Sequence, residues 1–125
     1  MGIIRKDEEL ADRLLDFTIS IIKLVIEIPK DMIGNHISSQ LLRSGTSPGA
    51  NYEEARGAES RADFIHKLGI VLKELKESRY WLKVIQKATL IKPDNTTQIL
   101  DKCEALTAII AKSIFTARKS TKGKT

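Results

Sequence analysis

The clearest candidate functional residues are basic side chains that recur along one stretch in the second half of the chain. At about 100° per residue on a helix, residues 73–87 place these cations within an arc of roughly 120°, with one aromatic side chain at its edge. They are Lys73, Lys76, Arg79, Lys83 and Lys87, together with Tyr80. Cations on one face neutralise phosphates while a tyrosine stacks on a base, so the pattern predicts a face that binds RNA or DNA.

Other charged residues bear on this prediction. Arg118 and Lys119, near the C-terminus, are predicted to add contacts to the basic face. A solvated surface is the competing interpretation, because lysine and arginine cover the exterior of most helical proteins and Glu74 and Glu77 lie close by in the sequence. The formal net charge of +5 is moderate, with acidic residues crowding the start of the chain and basic residues its end. Net charge alone leaves both interpretations open.

Residues capable of catalysis or metal binding form no recognisable combination. His36 and His66 lack a cysteine, histidine or acidic partner at a ligand spacing, so both are predicted to have ordinary structural or surface roles. Cys103 falls on an apolar stripe and is predicted to be a small buried side chain. The segment SGTSPGAN lacks the Lys-Ser/Thr of a phosphate-binding loop. The sequence therefore predicts no enzyme, no cofactor and no metal.

Polar residues in the first half of the chain recur in a way that predicts a structural site. Five of them follow one another at steps of three or four and so share one helix face: Gln40, Arg43, Ser47, Asn51 and Glu54. We predict a buried polar seam here. If the chain folds back near Glu59, Glu74 lies opposite Arg43, which predicts an ion pair between them, shared with Glu77.

Helical periodicity runs through almost the whole sequence, and no segment alternates apolar and polar residues over the length of a strand. The pattern predicts an all-α, antiparallel up-down-up-down four-helix bundle over residues 1–118. The first helix spans about residues 6–28 and the second residues 32–58, with a cap at Asp31 and a bend near Pro48. Ser60 and Asp63 have capping-box spacing before the third helix, and residues 92–97 form a turn and a start signal for the fourth. Residues 119–125 are predicted to be a basic flexible tail.

The first predicted helix carries two apolar stripes. Leu10, Leu14, Phe17, Ile21, Leu24 and Ile28 form the one that suits the bundle core. The second contains Leu15, Ile19, Ile22, Val25 and Ile26, and a second apolar face needs another partner, most often a copy of the same chain. Ile19, Ile22, Ile26 and Trp81 are therefore predicted to form subunit contacts in a homo-oligomer.

Composition points to the cytoplasm. A single cysteine cannot form an internal disulfide, and no secretory leader is recognisable at the start, which favours a reducing compartment. The longest apolar run, residues 19–28, is interrupted by Ser20, Lys23 and Glu27 and is shorter than the roughly 20 residues of a membrane span. No membrane role is predicted.

The sequence also resembles a known family. QLLRSGTSPGANYEEARG followed by FIHKLGIVLKELKESRYWL is similar to bacterial four-helix-bundle proteins encoded within intervening sequences of large-subunit ribosomal RNA genes. Residues at matching places are Arg43, Ser47, Pro48, Asn51, Glu54 and Glu74, whereas Ala55 stands where the family often has glycine. The resemblance implies a homo-oligomer, typically a pentameric ring, with no established catalytic activity. A related branch that accompanies reverse transcriptases contacts nucleic acid, which serves here only as an analogy.

These observations favour a non-enzymatic, self-assembling bundle that acts as a scaffold or binding module, with nucleic acid as the expected ligand. In a ring, each subunit would repeat the basic face, so that weak sites add. One alternative is a protein-interaction module in which the basic face only keeps the protein soluble. Another is a small enzyme whose site forms between subunits.

Overall fold

The computed structural model describes residues 5–122, which form four α-helices. They are α1 (Lys6–Glu27), α2 (Met32–Arg56), α3 (Arg61–Ala88) and α4 (Pro93–Lys122). Each helix packs against the next one in the sequence, and α1 also contacts α4, less extensively, to close the bundle. The connections are short, so neighbouring helices run antiparallel. Residues 5–122 contain no strand, and the predicted all-α four-helix bundle is confirmed.

Side-chain caps explain where two of the helices begin. The Gly34 amide donates a hydrogen bond to Asp31 Oδ1 over 2.7 Å, and the Asp63 amide donates one to Ser60 Oγ over 3.1 Å. Each bond satisfies an amide that has no partner in the first turn, as the sequence predicted. Helix α3 ends at Ala88, and the cap residue that follows, Thr89, has a left-handed backbone with φ 54°.

Three predictions about helix ends need comment. Helix α4 begins at Pro93, so residues 93–97 of the predicted turn and start signal already belong to the helix. Proline suits this position because its missing amide hydrogen is not needed there. The same helix continues to Lys122, past the predicted boundary at residue 118, and residues 123–125 of the predicted tail lie outside the described part. Helix α2 continues through Pro48, and a bend there stays a prediction.

The core is built unequally by the four helices. Large side chains from all four are almost completely buried: Leu14, Phe17, Ile21 and Leu24 from α1, Leu41 from α2, Leu68, Val71, Leu75, Leu82 and Ile85 from α3, and Leu106 and Ile110 from α4. Helix α2 contributes smaller buried residues such as Ser44, Gly45 and Pro48. A Cβ atom at Gly45 would lie 2.7 Å from Ile21 Cγ2, so the missing side chain lets α1 and α2 approach closely.

Candidate functional site

Helix α1 leaves its second apolar stripe exposed. Leu15, Ile19, Ile22 and Ile26 are 57%, 43%, 38% and 69% exposed, respectively. Their spacing places them on the face of α1 that points away from the core. The prediction that one molecule cannot bury this stripe is therefore confirmed, except that Val25 packs against the core. Within residues 5–122, no helix combines the length and apolarity of a membrane span.

The exposed stripe continues onto the neighbouring helix. Leu42 precedes Gly45 and Gly49 by one and two helical turns, and both glycines face α1 across the helix contact. Leu42 therefore lies on the same flank of α2, and it is 41% exposed. Together, Leu15, Ile19, Ile22, Ile26 and Leu42 form one apolar surface on the outside of the two helices, which we name the α1/α2 patch. Contiguous apolar surfaces of this kind mark interaction sites.

The basic residues of α3 form the predicted face on the outside of the bundle. Lys73, Lys76, Lys83 and Lys87 are exposed, Arg79 is half-buried, and Tyr80 is 59% exposed. We name these six residues the basic stripe. None of its five cations forms an ion pair between residues 5 and 122. Glu74 and Glu77, which the competing interpretation invoked, pair with Arg43 of α2 and form no ion pair with the stripe.

The predicted C-terminal contribution to this face lies elsewhere. Arg118 and Lys119 are exposed near the end of α4. Because α3 and α4 are antiparallel, this end lies beside the start of α3, whereas the basic stripe begins about 18 Å further along the helix, at Lys73. The structure therefore does not bring Arg118 and Lys119 together with the stripe in one subunit.

The polar seam of α2 pairs with α3 as predicted, but most of it is not buried. Arg43 Nη1 donates to Glu74 Oε2 over 3.1 Å, and Arg43 Nη2 also contacts Glu77. The Arg43 side chain is 52% exposed, and only Glu74, at 8%, is buried. Glu54 is exposed and pairs with Lys67 over 3.0 Å.

Two other seam residues, Ser47 and Asn51, are joined by a side-chain hydrogen bond. Asn51 Nδ2 donates to Ser47 Oγ over 2.8 Å, within α2 itself, and both residues are half-buried. The prediction of a buried seam is corrected because the core face of α2 lies beside it, on Leu41, Ser44 and Pro48. The seam therefore follows the outer edge of the contact between α2 and α3.

A buried polar contact between the same helices was not predicted. Ser44 and Ser78 are both fully buried, with their hydroxyl oxygens 3.2 Å apart. Ser78 Oγ also lies 2.9 Å from the Glu74 carbonyl oxygen. The sequence did carry a signal for this contact, because Ser78 interrupts the apolar stripe of α3. Its partner Ser44 directly follows Arg43, whose position opposite α3 was predicted. The small side chains allow close helix packing while their hydroxyls remain hydrogen-bonded.

Trp81 does not join the α1/α2 patch. It packs against the edge of the core between α2 and α3, and its Nε1 donates to Glu77 Oε2 over 3.1 Å. Its ring meets those of Tyr80 and His36 edge to face, with centroids 5.0 Å and 6.0 Å apart. The predicted subunit contacts therefore lie on two different faces of the bundle, and any role of Trp81 in assembly stays a prediction.

Cys103 is a core residue, as predicted. It is fully buried, and its Sγ donates to the Leu75 carbonyl oxygen over 3.3 Å. Burial raises the pKa of its thiol to about 11, so the nucleophilic thiolate does not form near neutral pH. His36 and His66 are exposed, and the described part of the chain holds no group of His, Cys, Asp and Glu residues arranged for a metal ion.

The Cys103 thiol should make the fold less stable as the pH rises from 9 to about 11. In the unfolded state its pKa is near the ordinary 9.0, whereas in the folded state burial raises it to about 11. Between these values the unfolded chain loses the proton and the folded chain keeps it, which favours unfolding. Urea unfolding at about pH 8 and about pH 11 should show a stability loss roughly 2 kcal/mol greater for the natural protein than for Cys103→Ala. Equal losses would contradict the assignment.

Comparison with known proteins agrees with this architecture. The profile of the 23S rRNA-intervening sequence protein family matches residues 6–112. The chain is also similar to the crystal structure of a protein with unknown function from the S23 ribosomal protein family of Bacteroides thetaiotaomicron, with 36% sequence identity and a TM-score of 0.79. That similarity covers 84% of this chain and 97% of the other. No curated protein matches the chain. The profile match includes the α1/α2 patch, the Arg43 and Glu74 pair and the basic stripe, and the chain belongs to the 23S rRNA-intervening sequence protein family.

Proposed function

We propose that the chain is a non-enzymatic helical bundle that assembles with copies of itself and presents repeated basic stripes to nucleic acid. The observation that carries the proposal is the α1/α2 patch. An isolated molecule would expose its five large apolar side chains to water, and burying them in a subunit contact is favourable by about 25 cal/mol per Å² of apolar surface.

The basic stripe supports nucleic acid as the ligand. From Lys73 to Lys87 it extends about 21 Å along α3, long enough to follow several phosphates of a strand. Its cations carry no competing carboxylate partners among residues 5–122, and Tyr80 lies exposed among them for stacking on a base. In an assembly each subunit contributes one stripe, so that modest individual affinities combine.

Self-assembly is tested by sedimentation of a variant that loses the patch without changing charge. The natural protein should sediment well above its monomer mass of 14.0 kDa. Ile19→Gln with Ile26→Gln should shift it toward the monomer, because two patch side chains become polar. Phe115→Gln is the matched control, since Phe115 is 68% exposed but lies on α4. A natural protein that remains monomeric at high concentration would overturn the proposal, and the measured mass also tests the pentamer that the family resemblance implies.

Nucleic-acid binding is tested with single-stranded RNA and DNA at several salt concentrations. The affinity of the natural protein should fall as salt rises, with a slope of about −0.7 in log K against log salt for each phosphate neutralised. Lys76→Glu with Lys83→Glu should weaken binding at least about tenfold at low salt. Lys30→Glu with Lys102→Glu makes the same charge change on exposed lysines outside the stripe and should have a smaller effect. No binding at low salt, or equal losses in both variants, would overturn the nucleic-acid part and leave the assembly part standing.

A further inference from the structure

A cleft lies at the end of the bundle where α1 and α3 begin. It has a volume of about 690 Å³ and extends between the first turns of α1 and the last turns of α4. Its wall is mostly apolar and includes Leu10, Tyr52, Phe64 and Ile109, one from each helix. Over the bundle as a whole, α1 packs less closely against α4 than against α2. Its volume falls within the range of about 300–1,000 Å³ of small-molecule sites.

Tyr52 gives this cleft a polar group without a partner. The residue is only 5% exposed and lines the cleft, and its hydroxyl makes no hydrogen bond to any residue that the structure describes. The hydroxyl oxygen itself is not fully buried, since among residues 5–122 the fully buried side-chain polar atom that lacks a partner is Thr96 Oγ1. Burial and the negative charge of Asp7 raise the pKa of Tyr52. Its hydroxyl is protonated at neutral pH, as that of an ordinary tyrosine is, and can donate a hydrogen bond. Such a donor suits an acceptor that enters the cleft from solution.

The charges around the cleft favour an anion. Four exposed cations line it: Lys6, Arg13, Arg61 and Lys112. None of the four forms an ion pair within the described chain. Of the two carboxylates in the lining, Asp7 is already paired with Arg5 and Arg56 at 3.0 Å and 3.1 Å, which leaves Glu9. The cations therefore outnumber the carboxylate that remains without a partner.

The helix ends at this cleft are partly compensated already. Helices α1 and α3 both begin at this end of the bundle, with Lys6 and Arg61 as their first residues. The amino-terminal end of a helix carries a partial positive charge and free amide donors. At α1 no side chain caps these amides, although Asp7, Glu8 and Glu9 lie in its first turn, whereas at α3 the Ser60 hydroxyl already caps the Asp63 amide.

From this combination we propose that the cleft binds a small amphipathic anion, with an aliphatic or aromatic body and one negatively charged head. The body packs on Leu10, Phe64 and Ile109, the head lies among Arg61, Lys112 and their neighbouring cations, and Tyr52 donates a hydrogen bond to it. The mostly apolar wall favours such a ligand over a highly charged nucleotide. The proposal does not rest on the nucleic-acid function, because the basic stripe lies further along α3.

Anilinonaphthalene sulfonate is a suitable probe, since it has an aromatic body and one anionic head. Its fluorescence should rise saturably on binding, and the titration is best done in the Ile19→Gln, Ile26→Gln background, where the α1/α2 patch contributes less. Arg61→Glu with Lys112→Glu should raise the dissociation constant at least about tenfold, because charge-assisted contacts to the head are lost. Tyr52→Phe should raise it about threefold or more.

The charge-matched control, Lys30→Glu with Lys102→Glu, should leave the affinity within about twofold. Phenylnaphthylamine, which has a similar body but no sulfonate, should bind more weakly. Its dissociation constant should not change with the Arg61 and Lys112 substitutions. Circular dichroism and the thermal midpoint confirm that each variant is folded. Absence of saturable binding, equal losses in the control, or equal sensitivity of the uncharged probe would overturn the proposal. None of these results depends on whether the basic stripe binds nucleic acid.

Discussion

Gly34→Ala should lower the free energy of unfolding by about 3 kcal/mol, since it combines overpacking with loss of a helix cap. A Cβ atom at this position would lie 1.7 Å from the Pro29 carbonyl oxygen and 3.2 Å from Asp31 Oδ1. The first of these is a backbone atom and cannot move aside by a simple rotation. The connection between α1 and α2 must therefore shift, which also disturbs the hydrogen bond from the Gly34 amide to Asp31.

Gly69→Ala is the matched control for this measurement. Gly69 lies inside α3, is exposed, and has no atom within 4 Å of a Cβ built on it. Alanine there should raise stability by about 0.5–1 kcal/mol, because it is the better helix former. Asp31→Ala should cost about 1 kcal/mol and isolates the contribution of the cap. Urea unfolding of the three variants gives the comparison, and a Gly34→Ala protein as stable as the natural one would show that the connection is free to move.

Arg43→Met should be the second most damaging change, lowering the free energy of unfolding by about 2 kcal/mol. The methionine keeps part of the apolar stem of the side chain but removes the cation that Glu74 and Glu77 share. Glu74 is only 8% exposed, so its carboxylate would remain poorly solvated and close to a second negative charge.

The opposite change should be milder. Glu74→Gln should cost about 1 kcal/mol, because the half-exposed Arg43 keeps both water and Glu77 as partners. Denaturant unfolding of the two single variants and the double variant forms a cycle that isolates the coupling between the two residues. If Glu74→Gln proved more damaging than Arg43→Met, the ion pair would have to be far less accessible to water than the structure shows.

Much of the fold could be predicted because its signals are local. Apolar spacing marks four helices, and Asp31 and Ser60 announce two of them through short-range caps. The exposed stripe on α1 follows from the same reasoning, since a helix with two apolar faces can turn only one to the core. The contact between Arg43 and Glu74 could also be predicted from the sequence. Two antiparallel helices joined by a turn bring together residues that lie equally far before and after that turn.

The remaining features depend on packing between helices, which spacing alone does not reveal. The core face of α2 was assigned to the wrong flank because Ser44, Gly45 and Pro48 interrupt its apolar stripe, which Ile37, Leu41, Tyr52 and Ala55 otherwise mark at helical spacing. The cleft at the end of the bundle could not be predicted from the sequence at all. It brings Lys6, Tyr52, Arg61 and Lys112 together from four helices, and no local pattern relates these positions.

The limited contact between α1 and α4 bears on how the chain reaches this structure. All the extensive helix contacts join segments adjacent in the sequence, so each can form by closing a short connection. Only the last, smaller contact requires the two ends of the chain to meet. Bundles dominated by such local contacts fold on a timescale of roughly microseconds to milliseconds. The chain is therefore expected to refold within milliseconds in a rapid-mixing experiment, and refolding over seconds would contradict this.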